Sequence, residues 1–369
     1  MFNDAKLFLA GLITLIITVA FLLVLRPVAK VSGLVDRPGG RKKHHGSVPI
    51  IGGIAMFIGI LAGLAVMGVA DRLVVSFAFS VFILALVGVV DDVLHVRPAA
   101  RILVQVAAII IMAYGSGLML FSLGNPFGLG EILLGQFALI GTLMVGITVI
   151  NAFNLVDGAD GLAGTLVLIP LVAVILIVGI GEPSAALPTI VAAAVLAFLF
   201  FNFPIKANRP IRTFMGDAGS IVLGFVVFWA VLGVSQGEEA IISPVAGLWF
   251  AAIPIFDTLT CFVRRVRKGK SPFKPGRDHF HHMLVRGGFH MREKLAILCG
   301  LQLIYTIIGA TSGLLGVPDV ILFVAWSALG MTQFKVIRLV STRHRRYLFN
   351  KLRAGELSPE RAAKIRALR

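Results

Sequence analysis

The sequence predicts an all-α fold: a polytopic integral membrane bundle of about eleven transmembrane helices. Three observations carry that reading. The 369-residue chain is 58% hydrophobic with a mean hydropathy of +0.95, too apolar for an ordinary soluble domain. Apolar runs of the length needed to cross a bilayer, about 17–25 residues, recur at 7–25, 49–69, 73–90, 102–123, 132–150, 162–180, 186–203, 220–236, 241–262, 295–315 and 318–338. The segments between them alternate in chemical character, which orders the runs as successive crossings.

Run 7–25 is followed directly by Arg26 and shows no A-x-A cleavage site, so it reads as a first span and not as a secretory signal. Run 49–69 opens on Pro49-Ile-Ile-Gly-Gly53, and run 73–90 closes on Val89-Val-Asp-Asp92. Between 102–123 and 132–150 the chain is short and plain; after 132–150 comes Asn151-Ala-Phe-Asn154-Leu-Val-Asp157-Gly-Ala-Asp160-Gly161. Runs 162–180 and 186–203 are joined by a brief Gly/Pro turn, and 220–236 starts from Phe214-Met-Gly216-Asp217-Ala-Gly219-Ser220. After 241–262 the chain holds Arg264-Arg265-Val-Arg267-Lys268 and ends the loop on Asp278-His279-Phe-His281-His282. Every loop with chemical potential therefore lies on one side, while the other side carries short connections such as 181–186 and 237–240.

Charge orients the bundle. The motif-bearing side and the tail hold 32 of the 34 Lys and Arg, leaving Lys6 and Arg72 on the other. Cytoplasmic loops collect Lys and Arg, so the N-terminus is expected outside, the C-terminus and the motifs in the cytoplasm. The net charge of +16 then belongs to the inner face and suits anionic membrane lipid. No aromatic-basic interleaving accompanies it, so nucleic acid is not an expected partner. The longest loop, 263–294, is too short for a core of its own. We expect one transmembrane catalytic domain over 1–340 and a basic cytoplasmic tail over 341–369, where Ser358-Pro-Glu360 resembles the start of a short helix. Cys261 and Cys299 fall in or beside spans and suggest neither a disulfide nor a zinc site.

Asp91 and Asp92 are adjacent carboxylates at a helix C-terminus, where anions are disfavoured. They either end the span in water or handle a cation or a proton; Arg97 and Arg101 nearby suit a phosphate site. Asn154, Asp157 and Asp160 follow a three-residue spacing that one face of a helical turn would gather, or they form a capped interhelical turn. Asp217 is either an N-cap or a ligand to a hard divalent cation, with Lys206, Arg209 and Arg212 adding positive charge upstream. The Arg/His loop reads as hydrogen-bonding and cationic groups around a diphosphate. No Walker A sequence, Rossmann fingerprint or G-x-S-x-G elbow occurs. Hard-cation ligands, an acid pair and basic residues at a membrane surface suit phosphoryl transfer between a soluble and a lipid-borne substrate.

These motifs, in unbroken order from about 26 to 294, resemble the polyprenyl-phosphate N-acetylhexosamine-1-phosphate transferases. The resemblance implies transfer of N-acetylglucosamine 1-phosphate from UDP-N-acetylglucosamine to undecaprenyl phosphate in a bacterial inner membrane, with UMP released. It implies magnesium, for which manganese substitutes, and the initiating step of a lipid-linked cell-surface glycan such as lipopolysaccharide O-antigen. Residue by residue, Asp217 matches the metal-binding aspartate with Asn154 as a second ligand, and Asp91 and Asp92 match the pair assigned to the lipid phosphate. Arg101 matches a basic residue beside that pair. Asn151, in the matched motif, is expected among the substrate-binding residues, Asp157 and Asp160 match nucleotide-site acids, and Arg265, His279, His281 and His282 match the loop for diphosphate and sugar. Where some members carry a third acid, this chain has His95. His-Phe-His-His, in place of three consecutive histidines, favours the N-acetylhexosamine branch over the muramoyl-pentapeptide one. Another UDP-N-acetylhexosamine remains an alternative, and a homodimer stays open. A lipid-linked or nucleotide-sugar transporter would need polar groups near the midplane, but the span interiors carry almost no charge apart from Asp257.

Overall fold

The computed structural model describes residues 4–37, 46–204, 211–269, 279–357 and 359–366. The chain is a polytopic helical membrane protein. Its elements run α1 (Asp4–Ser32), strands β1 (Val35–Asp36) and β2 (Val48–Pro49), α2 (Gly52–Met67), α3 (Arg72–Leu94), α4 (Pro98–Ser116), α5 (Ala138–Val156), α6 (Leu162–Val178), α7 (Ala186–Asn202), α8 (Gly216–Ser235), α9 (Pro244–Gly247), α10 (Ala252–Val266), α11 (Phe280–Arg286), α12 (Met291–Ser312), α13 (Asp319–Arg353) and α14 (Pro359–Arg366). Among the described residues nine helical stretches are long and apolar enough to cross a membrane, with α9 and α10 counted as one stretch, while α2 and α6 are apolar but shorter. Each of the eleven expected runs thus corresponds to a helix.

Helix α8 is the most enclosed of the nine. Small residues let its neighbours approach it, as small-residue contacts do where no hydrophobic drive separates helix from lipid. A Cβ on Gly53 of α2 would lie 2.3 Å from Gly219 N, and one on Gly88 of α3 would lie 2.3 Å from Ala218 Cα. Both contacts sit at the first turn of α8, beside Asp217. They bring the ends of α2 and α3 onto the same spot.

Two local devices finish this end of the bundle. The strands β1 and β2 pair antiparallel, and Ile50 bridges to Phe214, with Phe214 N donating to Pro49 O at 2.9 Å. Helix α3 stops at His95, the one non-glycine residue with positive φ (54°) among those described. His tolerates that region better than branched residues do, and its N–H closes on Asp91 O. Pro98 then starts α4 at a position where no N–H is needed, so the chain reverses within a few residues and Arg101 returns over Asp91.

At the opposite end Asn125 N donates to Asp319 Oδ2 at 2.8 Å, and Gln236 accepts from Phe121 N and Ser122 N. The α9–α10 span is broken by a 3₁₀ turn over Leu248–Ala251. Gln302 repairs it: its Nε2 donates to Trp249 O and Phe250 O, and its Oε1 accepts from Ile253 N at 2.9 Å. Satisfying broken-helix backbone from a neighbouring helix is what an apolar setting requires. Helix α13 runs without a break through 340–341, and at 35 residues it is about 52 Å long by the helical rise. Its extension packs on α11, where Ser341 closes on Gly287 and the rings of Phe289 and His344 stack at 4.1 Å.

Candidate active site

The acids of three separate loops meet around one guanidinium. Arg101 donates from Nη1 to Asp91 Oδ2 at 2.6 Å and from Nη2 to Asn154 Oδ1 at 2.8 Å, and lies 3.9 Å from Asp217 Oδ2. Asp91 is 6% exposed, and its other oxygen accepts from Val96 N at 2.7 Å. Asn154 in turn donates to Asp217 Oδ1 at 2.5 Å and to Ser220 Oγ at 2.9 Å. Ser220 follows Asp217 by three positions on α8, the spacing that puts both on one helical face. Sequence reasoning passed over it, although that spacing was visible.

Asp92 does something different from its neighbour. Its Oδ1 accepts from Asp217 N at 2.9 Å and its Oδ2 from Ala218 N at 3.3 Å. It caps α8 from another helix, supplying acceptors for N–H groups that a helix start leaves open. Gly216 (φ 76°) makes this approach feasible, because a Cβ there would sit 2.5 Å from Asp92 Oδ2. Of the two readings of Asp217, the capping role falls to Asp92, and Asp217 is left with its carboxylate directed to Asn154 and Arg101.

The three-residue spacing after Asn154 does not continue as a helix. Helix α5 ends at Val156, and Asp157 has ψ 61°. Asn154 joins the Arg101 cluster, whereas Asp160 turns away to Arg212, whose Nη2 lies 2.8 and 2.7 Å from its two oxygens. Asp157 lies between them. Burial pushes its carboxyl up to about 7, with the charges of Asp217, Asp160 and Asp92 adding to the effect. Asn202 ties this loop to the next, accepting from Gly161 N and donating to Thr213 O. Asn151 does not reach the cluster; its Nδ2 bonds Gln105 Oε1 and Ile147 O. Lys206, Arg209 and Asp278 lie outside the described residues.

The His loop docks on the same region. His281 is buried, and a Cβ on Gly158 would lie 2.5 Å from its Nε2, so only glycine fits opposite the ring. Neither ring nitrogen of His281 has a partner among the described residues. Burial holds this imidazole well below its usual pKa, helped by His282, His279 and Lys294. The rings of His279 and His281 stack at 5.9 Å, and His282 follows at 4.2 Å from His281. Arg265 is buried at the end of α10. His279 Nδ1 lies 3.0 Å from Asp257 Oδ2 and 3.6 Å from Cys261 Sγ. Cys261, whose place in a span suggested neither a disulfide nor a zinc site, sits one helical turn beyond Asp257 and faces the same ring.

Whether these residues fit a divalent cation can be tested on their charge. Asp91, Asp92, Asp157 and Asp217 gather four carboxylates, against which Arg101 is the one guanidinium bonded within the cluster among the described residues. That surplus of negative oxygen adds to the burial that raises Asp157. Hard oxygen donors match magnesium, which keeps several waters for phosphate. The donor set fits.

The profile of glycosyl transferase family 4 matches residues 74–235. The undecaprenyl-phosphate alpha-N-acetylglucosaminyl 1-phosphate transferase of Escherichia coli (strain K12) is 38% identical over 283 residues, covering 76% of this chain and 77% of that protein. This chain belongs to that family. The protein of the same name from Salmonella typhi is 38% identical over 80% of this chain and 81% of its own length. That from Haemophilus influenzae is 35% identical over 84% and 87%. As a family 4 member the chain is a membrane sugar-phosphate transferase. The matched segment runs from α3 to the end of α8 and so contains the whole Arg101 cluster.

Proposed function

We propose that this protein transfers N-acetylglucosamine 1-phosphate from UDP-N-acetylglucosamine to undecaprenyl phosphate. An oxygen of the lipid phosphate attacks the sugar-bearing phosphorus, a new P–O–P bond forms, the bond between the two phosphates of the donor breaks, and UMP leaves. The observation that carries this reading is the meeting of Asp91, Asn154 and Asp217 around Arg101 at one end of an apolar bundle, in a chain whose relatives bear the name of this reaction.

Asp217 and Asn154 would hold magnesium, which supplies neutralisation of the diphosphate when bound. Asp91 and Asp92 are the groups assigned to the lipid phosphate, Asp91 through the Arg101 pair and Asp92 by holding the first turn of α8 in place. Asp157 and Asp160 serve the nucleotide, with Arg212 fixing Asp160. Arg265, His279, His281 and His282 receive the diphosphate and sugar, closing over the site through the contact at Gly158. Lys and Arg on the motif side support a cytoplasmic active site in the bacterial inner membrane, with 1–340 as the catalytic domain and 341–369 as a basic tail. The product would open a lipid-linked cell-surface glycan.

The test is incubation of the purified protein with undecaprenyl phosphate, magnesium and a panel of UDP-sugars, reading UMP release. UDP-N-acetylglucosamine is expected to turn over fastest. Preferred turnover of another UDP-N-acetylhexosamine would move the sugar assignment, and no lipid-dependent UMP release with any donor would overturn the reading.

A further inference from the structure

Asp257 has no part in the roles above, yet it is 1% exposed and both of its oxygens are spent on the His loop. Oδ2 lies 3.0 Å from Nδ1 of His279, and Oδ1 accepts the backbone N–H of Phe280 at 2.8 Å, at the first residue of α11. His279 is itself buried, and its Nε2 has no hydrogen-bond partner among the described residues.

We propose that Asp257 is a positioning residue that keeps the ring hydrogen of His279 on Nδ1 and presents Nε2 as an acceptor to a hydroxyl or amide N–H of the nucleotide sugar. This rests on the transferase reading above. The reason is a matter of donors and acceptors. An ionised carboxylate only accepts, so the ring atom facing it carries the hydrogen, and in the neutral imidazole the other nitrogen is then bare. The same pairing orients histidine in other sites where a carboxylate sits behind the ring. Because Oδ1 also ties the start of α11, one side chain sets both the position of the loop and the tautomer of the ring. The bond is buried at both ends, which makes it stronger than an exposed pair.

A metal is the competing use of this cluster, since ligand atoms of Asp257, Cys261 and His279 all lie within 4.8 Å of one another. Three residues fall one short of the closed tetrahedral set of a structural zinc site, and the Asp257–His279 distance is already that of a hydrogen bond.

The variant that separates these ideas is Asp257→Asn. Its amide oxygen can keep the Phe280 bond, while its NH₂ faces Nδ1 and forces the hydrogen onto Nε2. In full-length protein labelled with ¹⁵N-histidine and assigned with His279→Gln, nitrogen shifts should show Nδ1–H in the parent and Nε2–H in the variant. Turnover should fall in kcat/KM for the UDP-sugar by about 10- to 100-fold, the loss of one buried hydrogen bond turned into a donor–donor contact, while UDP alone binds as before. Added to His279→Gln, Asp257→Asn should cause no further loss, as expected for residues acting through one another. The proposal is overturned by Nε2–H in the parent protein, a result that stands even where the variant does not fold, or by additive losses. It is equally overturned by zinc bound at one per chain and lost in Cys261→Ser. A parent enzyme that turns over no UDP-sugar would sink the transferase reading, while the nitrogen shifts would still decide the Asp257 assignment.

Discussion

Removing Arg101 should destabilise the protein through the acid it leaves behind. Arg101→Ala deletes two hydrogen bonds of 2.6 and 2.8 Å and strands Asp91, which is 6% exposed. A hydrogen bond to a charged group contributes about 1.5–3 kcal/mol, and a buried charge that loses its partner costs about 3–5 kcal/mol. Two features reduce that here. Val96 N still serves one oxygen of Asp91, and Arg101 is itself 19% exposed on its side chain, so water shares its charge. We expect a loss of about 2–4 kcal/mol. The assay is thermal unfolding in detergent, followed by retention of the monodisperse species. Asp91→Asn added to Arg101→Ala should return at least half of the lost stability, because the stranded charge is gone, without restoring turnover. Arg101→Lys should fall between, since lysine keeps the charge but cannot span Asp91 and Asn154 with one planar fork. If Arg101→Ala unfolds with the parent, or the second substitution deepens the loss, the reasoning fails.

Three further outcomes follow from the geometry. Turnover should vanish with a chelator and return with magnesium or manganese, and Asp217→Asn should lose nearly all of it while still inserting; full activity in excess chelator would refute the metal assignment. Cysteine probes at Pro98 should label from the cytoplasm and those at Glu182 or Glu238 from outside, the arrangement read from the Lys/Arg count; the reverse pattern would invert the site. Stability should fall with acid through His281: folded, its imidazole is held neutral well below the usual value, whereas unfolded it takes a proton below about pH 6.5. The unfolded state then binds more protons, so stability is full above about 6.5 and drops as pH falls from there toward the folded value. Unfolding midpoints at pH 7.5 and 5.5 should differ less in His281→Gln than in the parent, and equal differences would count against the docked ring.

The spans were legible because each must present apolar side chains to lipid or to packed neighbouring helices along its length, and that requirement is written residue by residue. Alternation of loop chemistry was legible for the same reason: an odd number of crossings separates the ends of every helix. So the parity of the loops already grouped Asp91, Asn154, Asp217 and the His loop before any coordinate was known. What the one-dimensional pattern could not carry is how neighbouring acids divide their work. Asp91 and Asp92 are adjacent in the chain, yet a helix turns successive side chains by about 100°, so one faces Arg101 and the other reaches the first turn of α8. Asn154, Asp157 and Asp160 looked like one face of a helix; the helix ends at Val156, and the loop that follows parts them.

From its sequence alone this protein was determined to be a membrane bundle with its acid, amide and arginine motifs gathered at one end, since burial in an apolar setting and charge sidedness act on each segment independently. Only the tertiary structure decided that Asp92 caps α8, that Gly158 seats His281, and that Asp257 and Cys261 stand behind His279. Those contacts join residues 18 or more positions apart in the chain, and glycines at 53, 88, 158 and 216 let the first turn of α8 and the His281 ring be approached to distances that a Cβ would forbid.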